Sequence, residues 1–260
     1  MILADPGTSL QLSSNEVRFY REEGYLYIPS VVSREDAAEI AKNAIEVVLA
    51  SGKTLDDLRL ASGQKGSLLQ SHQYLGGSAL DGYVNSPSLN SIASQLMEGP
   101  STLYMPFTAI KSGGGGGTFN FHQDNQYTRF DGPGINLWMA LSPMSPENGC
   151  LMVVPRSHLS GTEESILRDG HRAVATDPTR FLPIRMNPGD VIAFSRLTIH
   201  GSGPNLTSEP RLAYAVQFHR DDVRAVWDGK EPRLLKQNPR WSTGAVEELT
   251  PPDAKGRDGH

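Results

Sequence analysis

Apolar residues recur at helical spacing through the first hundred positions. Ser13 and Glu16 stand three apart, as in a capping box, ahead of Val17, Phe19 and Tyr20, and Gly24 marks that helix's end. Ser33 opens a second helix. Ala37, Ile40, Ala41, Ala44, Ile45, Val48 and Leu49 share one face of it, and Gly52 follows. A third stripe of Leu89, Ile92, Ala93, Leu96 and Met97 begins at Ser88 and stops at Gly99-Pro100. Residues 53–87 are polar and glycine-bearing and read as helix plus loop.

After Pro100 the period changes from helical to alternating. Short runs at 102–111, 118–122, 135–142, 150–154, 181–186, 190–195 and 211–218 are separated by Gly, Pro, Asn and Asp. Many short strands with turn signals predict a β-sandwich or barrel, here preceded by helices. The expectation is a single domain over 1–260: a mostly helical part at 13–99, a β core at 100–220 and a C-terminal extension at 221–260 that frays. Within 135–141, Ile135, Leu137, Met139 and Leu141 share one face and fit core. Asn136, Trp138 and Ala140 share the other, which suits a pocket wall with a few polar groups.

Composition narrows the setting. The chain has 260 residues, 38% hydrophobic and 20% charged, enough to bury a core without staples. Its net charge of −5, without a Lys/Arg block, lacks the electrostatic footprint of a nucleic-acid binder. One cysteine, Cys150, allows no internal disulfide. No run approaches the roughly 20 apolar residues of a membrane span, and the N-terminus lacks the basic and apolar regions of a signal peptide. These features lead to the expectation of a soluble, cytoplasmic protein acting on a small molecule, with monomer and homodimer both open.

The stretch GGGGGTFNFHQD (113–124) holds two candidate chemistries. A phosphate loop needs backbone N–H groups at a helix N-terminus, usually backed by Lys and Ser or Thr. Here an alternating, strand-like segment follows, so the glycines read as a flexible hairpin connection between the strands at 102 and 118. His122 and Asp124, two apart on an extended segment, project to the same side and can grip one cation. A third ligand would complete a 2-His-1-carboxylate triad, which holds Fe(II) with open positions. His200 follows a strand-like pair, but His72, His158, His171 and His219 compete with it and spacing favours none. Arg211 opens the apolar segment RLAYAVQF. A guanidinium buried there needs a partner: an internal Asp or Glu, or a planar anion such as a bound carboxylate.

FHQD, NLWMALSPMSPENGCLMVVPRSH and IHGSGPNLTSEPRLAYAVQF together resemble the phytanoyl-CoA dioxygenase family over roughly residues 15–225. That resemblance implies a double-stranded β-helix, a cupin-like jelly-roll, behind N-terminal helices. It implies Fe(II), 2-oxoglutarate and O2 as cofactors, with His122, Asp124 and His200 as iron ligands. Arg211 matches the arginine for the far carboxylate of 2-oxoglutarate, Ser202 a hydroxyl beside it, and Trp138 and Phe107 further cosubstrate-site positions. Asn136 joins them from alternation alone. The implied reaction couples decarboxylation of 2-oxoglutarate to succinate with hydroxylation of an unactivated C–H. Desaturation, cyclisation and epimerisation start from the same hydrogen abstraction, and Asp124 stands where related halogenases lack a carboxylate. The contrasting readings are a non-catalytic binding protein and a non-redox, cupin-type metalloprotein. Substrate contacts are sought in Gln70, His72, Gln73 and Tyr74 of the 68–83 segment, and in Asn125 and Arg129 just past the ligands. The 157–177 loop is long enough to form a lid.

Overall fold

The computed structural model describes residues 9–50, 52, 54, 68–71, 78–226 and 231–235. The helices are α1 (Ser14–Glu23), α2 (Arg34–Ala50), α3 (Ala79–Val84) and α4 (Pro87–Met97). The strands run β1 (Tyr25–Ile28), β2 (Leu68–Ser71), β3 (Ser101–Lys111), β4 (Phe119–His122), β5 (Arg129–Phe130), β6 (Gly134–Ala140), β7 (Leu151–Val153) and β8 (Ile166–Arg168). They continue with β9 (His171–Ala173), β10 (Leu182–Pro183), β11 (Val191–Ser195), β12 (His200–Ser202), β13 (Arg211–Arg220), β14 (Arg224–Val226) and β15 (Arg233–Leu234). The fold is mainly β with a few helices, and its sheets are antiparallel.

One six-stranded sheet, ordered β1-β11-β6-β13-β3-β2, organises the molecule, with a four-stranded sheet β10-β7-β12-β4 beside it. β6 is buried along its whole length because both faces are covered. Ile135, Leu137, Met139 and Leu141 pack against α2, α3 and α4 through Ile40, Leu80, Leu89 and Ile92. Trp138 and Ala140 face the second sheet and meet Leu151 and Val153 of β7. The alternation seen in the sequence is thus a division between an apolar layer under the helices, each buried Leu, Ile or Val contributing about 2 kcal/mol, and a face toward the second sheet on which Asn136 and Trp138 line a cavity.

The helix signals fall close to the observed boundaries. Ser13 and Glu16 close the capping box of α1, and Gly24 ends it in the left-handed conformation at φ 81°. All five stripe residues of the third predicted helix are buried on α4, which Ser86 caps two positions ahead of the expected start. The sequence reading has no strand before residue 100. β1 arises from pairing with β11, where Leu26 and Ile28 turn inward, and a four-residue segment carries too little local pattern to announce it. The 157–177 segment also holds more structure than a loop, because β8 and β9 form a hairpin within it.

The glycine run is not a hairpin connection. β3 lies in the six-stranded sheet and β4 in the four-stranded one, so residues 113–117 carry the chain between sheets. Packed sheets lie about 10 Å apart, a gap that a tight turn does not span. Nor does the run hang free. Gly114 N–H donates to Thr207 O at 2.6 Å, Gly115 N–H to Asn205 O at 2.7 Å, and Asn205 N–H returns to Gly116 O at 2.8 Å. A Cβ at Gly113 would lie 2.1 Å from the Ser208 carbonyl oxygen, so glycine is what permits this approach.

Candidate active site

His122 and His200 face each other as Cα partners across the antiparallel β4–β12 pair. Their rings lie side by side, with centroids 4.3 Å apart. Each Nδ1 is turned to a carbonyl two residues back in the chain: Asn120 O at 2.8 Å and Thr198 O at 3.0 Å. A carbonyl only accepts, so each Nδ1 carries a proton and Nε2 is the ring nitrogen turned to the centre. Asp124 begins the single 3-10 turn after β4, and its Oδ1 sits 3.6 Å from both Nε2 atoms. The donor atoms of the three side chains all lie within 4.8 Å of one another, in a buried setting.

The electrostatics match a cation site. Burial lowers His200 to about 4, assisted by the neighbouring His122 ring, so it is neutral at pH 7. Burial opposes ionisation of Asp124, but the imidazoles and the Arg196 guanidinium outweigh it and hold the carboxyl well below the usual carboxylate range. Two ring nitrogens and a carboxylate oxygen therefore converge on one point. Such a donor set suits a positive ion at its centre.

The other oxygen of Asp124 is occupied. Oδ2 accepts from Gln217 Nε2 at 3.1 Å and from Asn136 Nδ2 at 3.4 Å. Arg196, 3% exposed, donates to Gln217 Oε1 at 2.8 Å and to the backbone oxygens of Asp124 and Thr128 at 3.0 Å each. Its guanidinium lies over the Phe130 ring, 4.0 Å from the centroid.

One cavity of about 300 Å³ reaches the triad and Arg211 together, lined also by Phe107, Asn136, Trp138 and Ser202. Arg211 is 1% exposed, lies over Trp138 at 5.1 Å, and keeps Nε and Nη1 buried without a hydrogen-bond partner. Burial lowers its guanidinium to about 10, still charged at pH 7. Its cross-strand neighbour Lys111 donates to the carbonyls of Gly117, at 2.7 Å, and Gly203. Burial and the Arg211 charge bring this amine down to about 6. The buried, unpaired guanidinium is thus suited to a carboxylate entering the cavity.

The expected substrate contacts fare differently. Asn125 and Arg129 stand outside this cavity. Asn125 Oδ1 accepts from Phe130 N–H at 2.9 Å, so its side chain shapes the turn, and Arg129 points to solvent from β5. Gln70 lies on β2, paired with Ala109, while His72, Gln73 and Tyr74 lie outside the described residues. Of the competing histidines, His171 borders the cavity, its ring tilted against Phe119 with centroids 4.9 Å apart, whereas His158 bonds Arg21 O. His219 bonds Arg220 O. Arg196 and Gln217 went unread, although Gln217 shares the period-two face of β13 with Arg211.

The family model for phytanoyl-CoA dioxygenases matches residues 20–213. The chain belongs to the phytanoyl-CoA dioxygenase family. Membership makes it a non-haem iron, 2-oxoglutarate-dependent dioxygenase. Phytanoyl-CoA dioxygenase of Arabidopsis thaliana is 26% identical over 263 residues, covering 83% of this chain and 92% of that protein. Among solved structures, the carbocyclase SnoK from nogalamycin biosynthesis has a TM-score of 0.69 at 23% identity, covering 89% of this chain and 98% of the other. EvdO2 from Micromonospora carbonacea var. aurantiaca, complexed with 2-oxoglutarate, has a TM-score of 0.67 at 21% identity, covering 90% and 97%. These two likenesses concern the fold.

Proposed function

We propose that His122, Asp124 and His200 hold Fe(II), that Arg211 and Ser202 hold the far carboxylate of 2-oxoglutarate, and that the enzyme hydroxylates a C–H bond of a small metabolite. The facing antiparallel sheets are read as a double-stranded β-helix, with the site between them. The observation that carries this reading is Arg211, a buried guanidinium with unpartnered Nε and Nη1, in the same cavity as the three converging donors.

The donor set fits Fe(II), because two neutral imidazoles and one carboxylate leave coordination positions for a keto-acid and O2. Bound there, the iron would supply oxidative decarboxylation of 2-oxoglutarate to succinate and CO2, coupled to oxidation of a C–H. The chain's residues supply position and dryness. The Nδ1 bonds to Asn120 and Thr198 fix both rings with Nε2 inward. Trp138, Phe107 and Phe194 wall the cavity with apolar surface and exclude water. Tyr104, Tyr127, Phe119 and His171 border the rest and present a mainly aromatic face to the substrate.

The test loads the protein anaerobically with Fe(II) and 2-oxoglutarate, adds a metabolite pool, admits air and measures succinate. Wild type should form succinate and the Asp124→Ala variant almost none. A substrate that gains one oxygen atom identifies hydroxylation. Equal succinate from both proteins, or no 2-oxoglutarate binding by wild type, would defeat the assignment.

A further inference from the structure

We infer that Gln217 and Arg196 are positioning residues that fix which oxygen of Asp124 faces the metal, and that this hold comes from the sheet opposite the histidines. The inference rests on reading Asp124 as a ligand. Both imidazoles come from the four-stranded sheet, on β4 and β12. Gln217 lies on β13 of the six-stranded sheet, and Arg196 directly follows β11 of the same sheet. The triad is therefore set from two sides.

The orientation of the Gln217 amide follows from chemistry. A guanidinium only donates, and Arg196 Nη1 lies 2.8 Å from one end of that amide. That end is Oε1, which turns Nε2 toward Asp124 Oδ2 at 3.1 Å. Asn136 adds a longer bond to the same oxygen. With Oδ2 engaged, Oδ1 alone faces the two Nε2 atoms. A carboxylate held this way presents one oxygen to an ion and cannot swing to cover a second coordination position. Arg196 also holds the Asp124 backbone oxygen, so it ties down both ends of the residue. Its remaining bonds to Gln217 and Thr128, and its stacking on Phe130, turn both Nη atoms to the protein and leave Nε alone without a partner. It acts through Gln217 and Asp124.

The experiment uses the full chain and Mn(II), a redox-silent probe, titrated under nitrogen and followed by electron paramagnetic resonance. Gln217→Met keeps the volume and removes the donor. Its Kd for Mn(II) should rise about 10- to 100-fold, the usual cost of losing a ligand's hydrogen-bond partner. The spectrum of the bound ion should also change, because the freed Oδ2 can now reach it. Should Gln217→Met fail to fold, Gln217→Asn, which withdraws the amide by one methylene, is expected to weaken Mn(II) in the same direction. A folded variant that binds Mn(II) with wild-type affinity and an unchanged spectrum would overturn the inference, as would one that only lowers the metal-free melting temperature. Failure of the wild type itself to bind Mn(II) would overturn the metal assignment along with it.

Discussion

Replacing Arg211 with methionine should make the ligand-free protein more stable while removing most of its stabilisation by 2-oxoglutarate. The side chain is 1% exposed, and its Nε and Nη1 have no hydrogen-bond partner. Burial lowers the guanidinium from 12.5 to about 10. At 1.36 kcal/mol per pKa unit, that is a penalty of about 3 kcal/mol on the charged form in the empty site. Methionine keeps much of the stem's packing over Trp138 and carries no charge. After some loss of contact, a net gain of about 2 kcal/mol remains, or a rise in Tm of about 4–8 °C for a chain of this size. Binding moves the other way. Burial and the Arg211 charge lower Lys111 to about 6, so on the proposed reading Arg211 supplies most of the positive charge for the far carboxylate. Losing a charge-assisted pair of about 3 kcal/mol weakens 2-oxoglutarate about 100-fold. The assay is thermal unfolding of metal-free and Mn(II)-loaded protein, with and without 2-oxoglutarate. In wild type, cosubstrate at 100 times Kd should add about 2.7 kcal/mol; in Arg211→Met the same concentration should add only about 0.4 kcal/mol. A variant that is less stable when empty, yet still stabilised by 2-oxoglutarate, would refute the reasoning.

Metal-free stability should fall with acidification between pH 6.5 and about 4. Burial holds His200 at about 4, whereas the unfolded ring takes up its proton near 6.5, so acid favours the unfolded chain across that window. The full contribution is about 3 kcal/mol, checked by urea midpoints at pH 7 and pH 5; equal midpoints would contradict the placement of the ring. Gly113→Ala should cost about 2 kcal/mol or more, because its Cβ would meet the Ser208 carbonyl at 2.1 Å. Its unchanged melting temperature would show that the glycine crossing is slack rather than docked.

Much of the architecture was legible in local pattern. The stripe on α4 and the alternation of β6 reflect apolar burial at fixed periods, which sequence records directly. The triad and Arg211 were legible only in combination, since His122 and Asp124 form a common pair and His200 had four rivals. What escaped depends on contacts distant in sequence. β1 exists through its pairing with β11. The glycine crossing looked like a hairpin because nothing local says that β3 and β4 belong to different sheets. Asn125, chosen for its nearness to the ligands, turns to the Phe130 backbone instead. Gln217 was within reach: counting by twos from Arg211 along β13 arrives at it, facing the same cavity.

The pairing of His122 with His200 across β4 and β12 has a consequence for assembly. A slip of one residue in that pairing would turn one ring to the far face of its sheet. On the proposed reading of the triad, metal capture would therefore proofread strand alignment. A chain folded in the wrong register would lack the two-nitrogen grip that the proposed iron site needs.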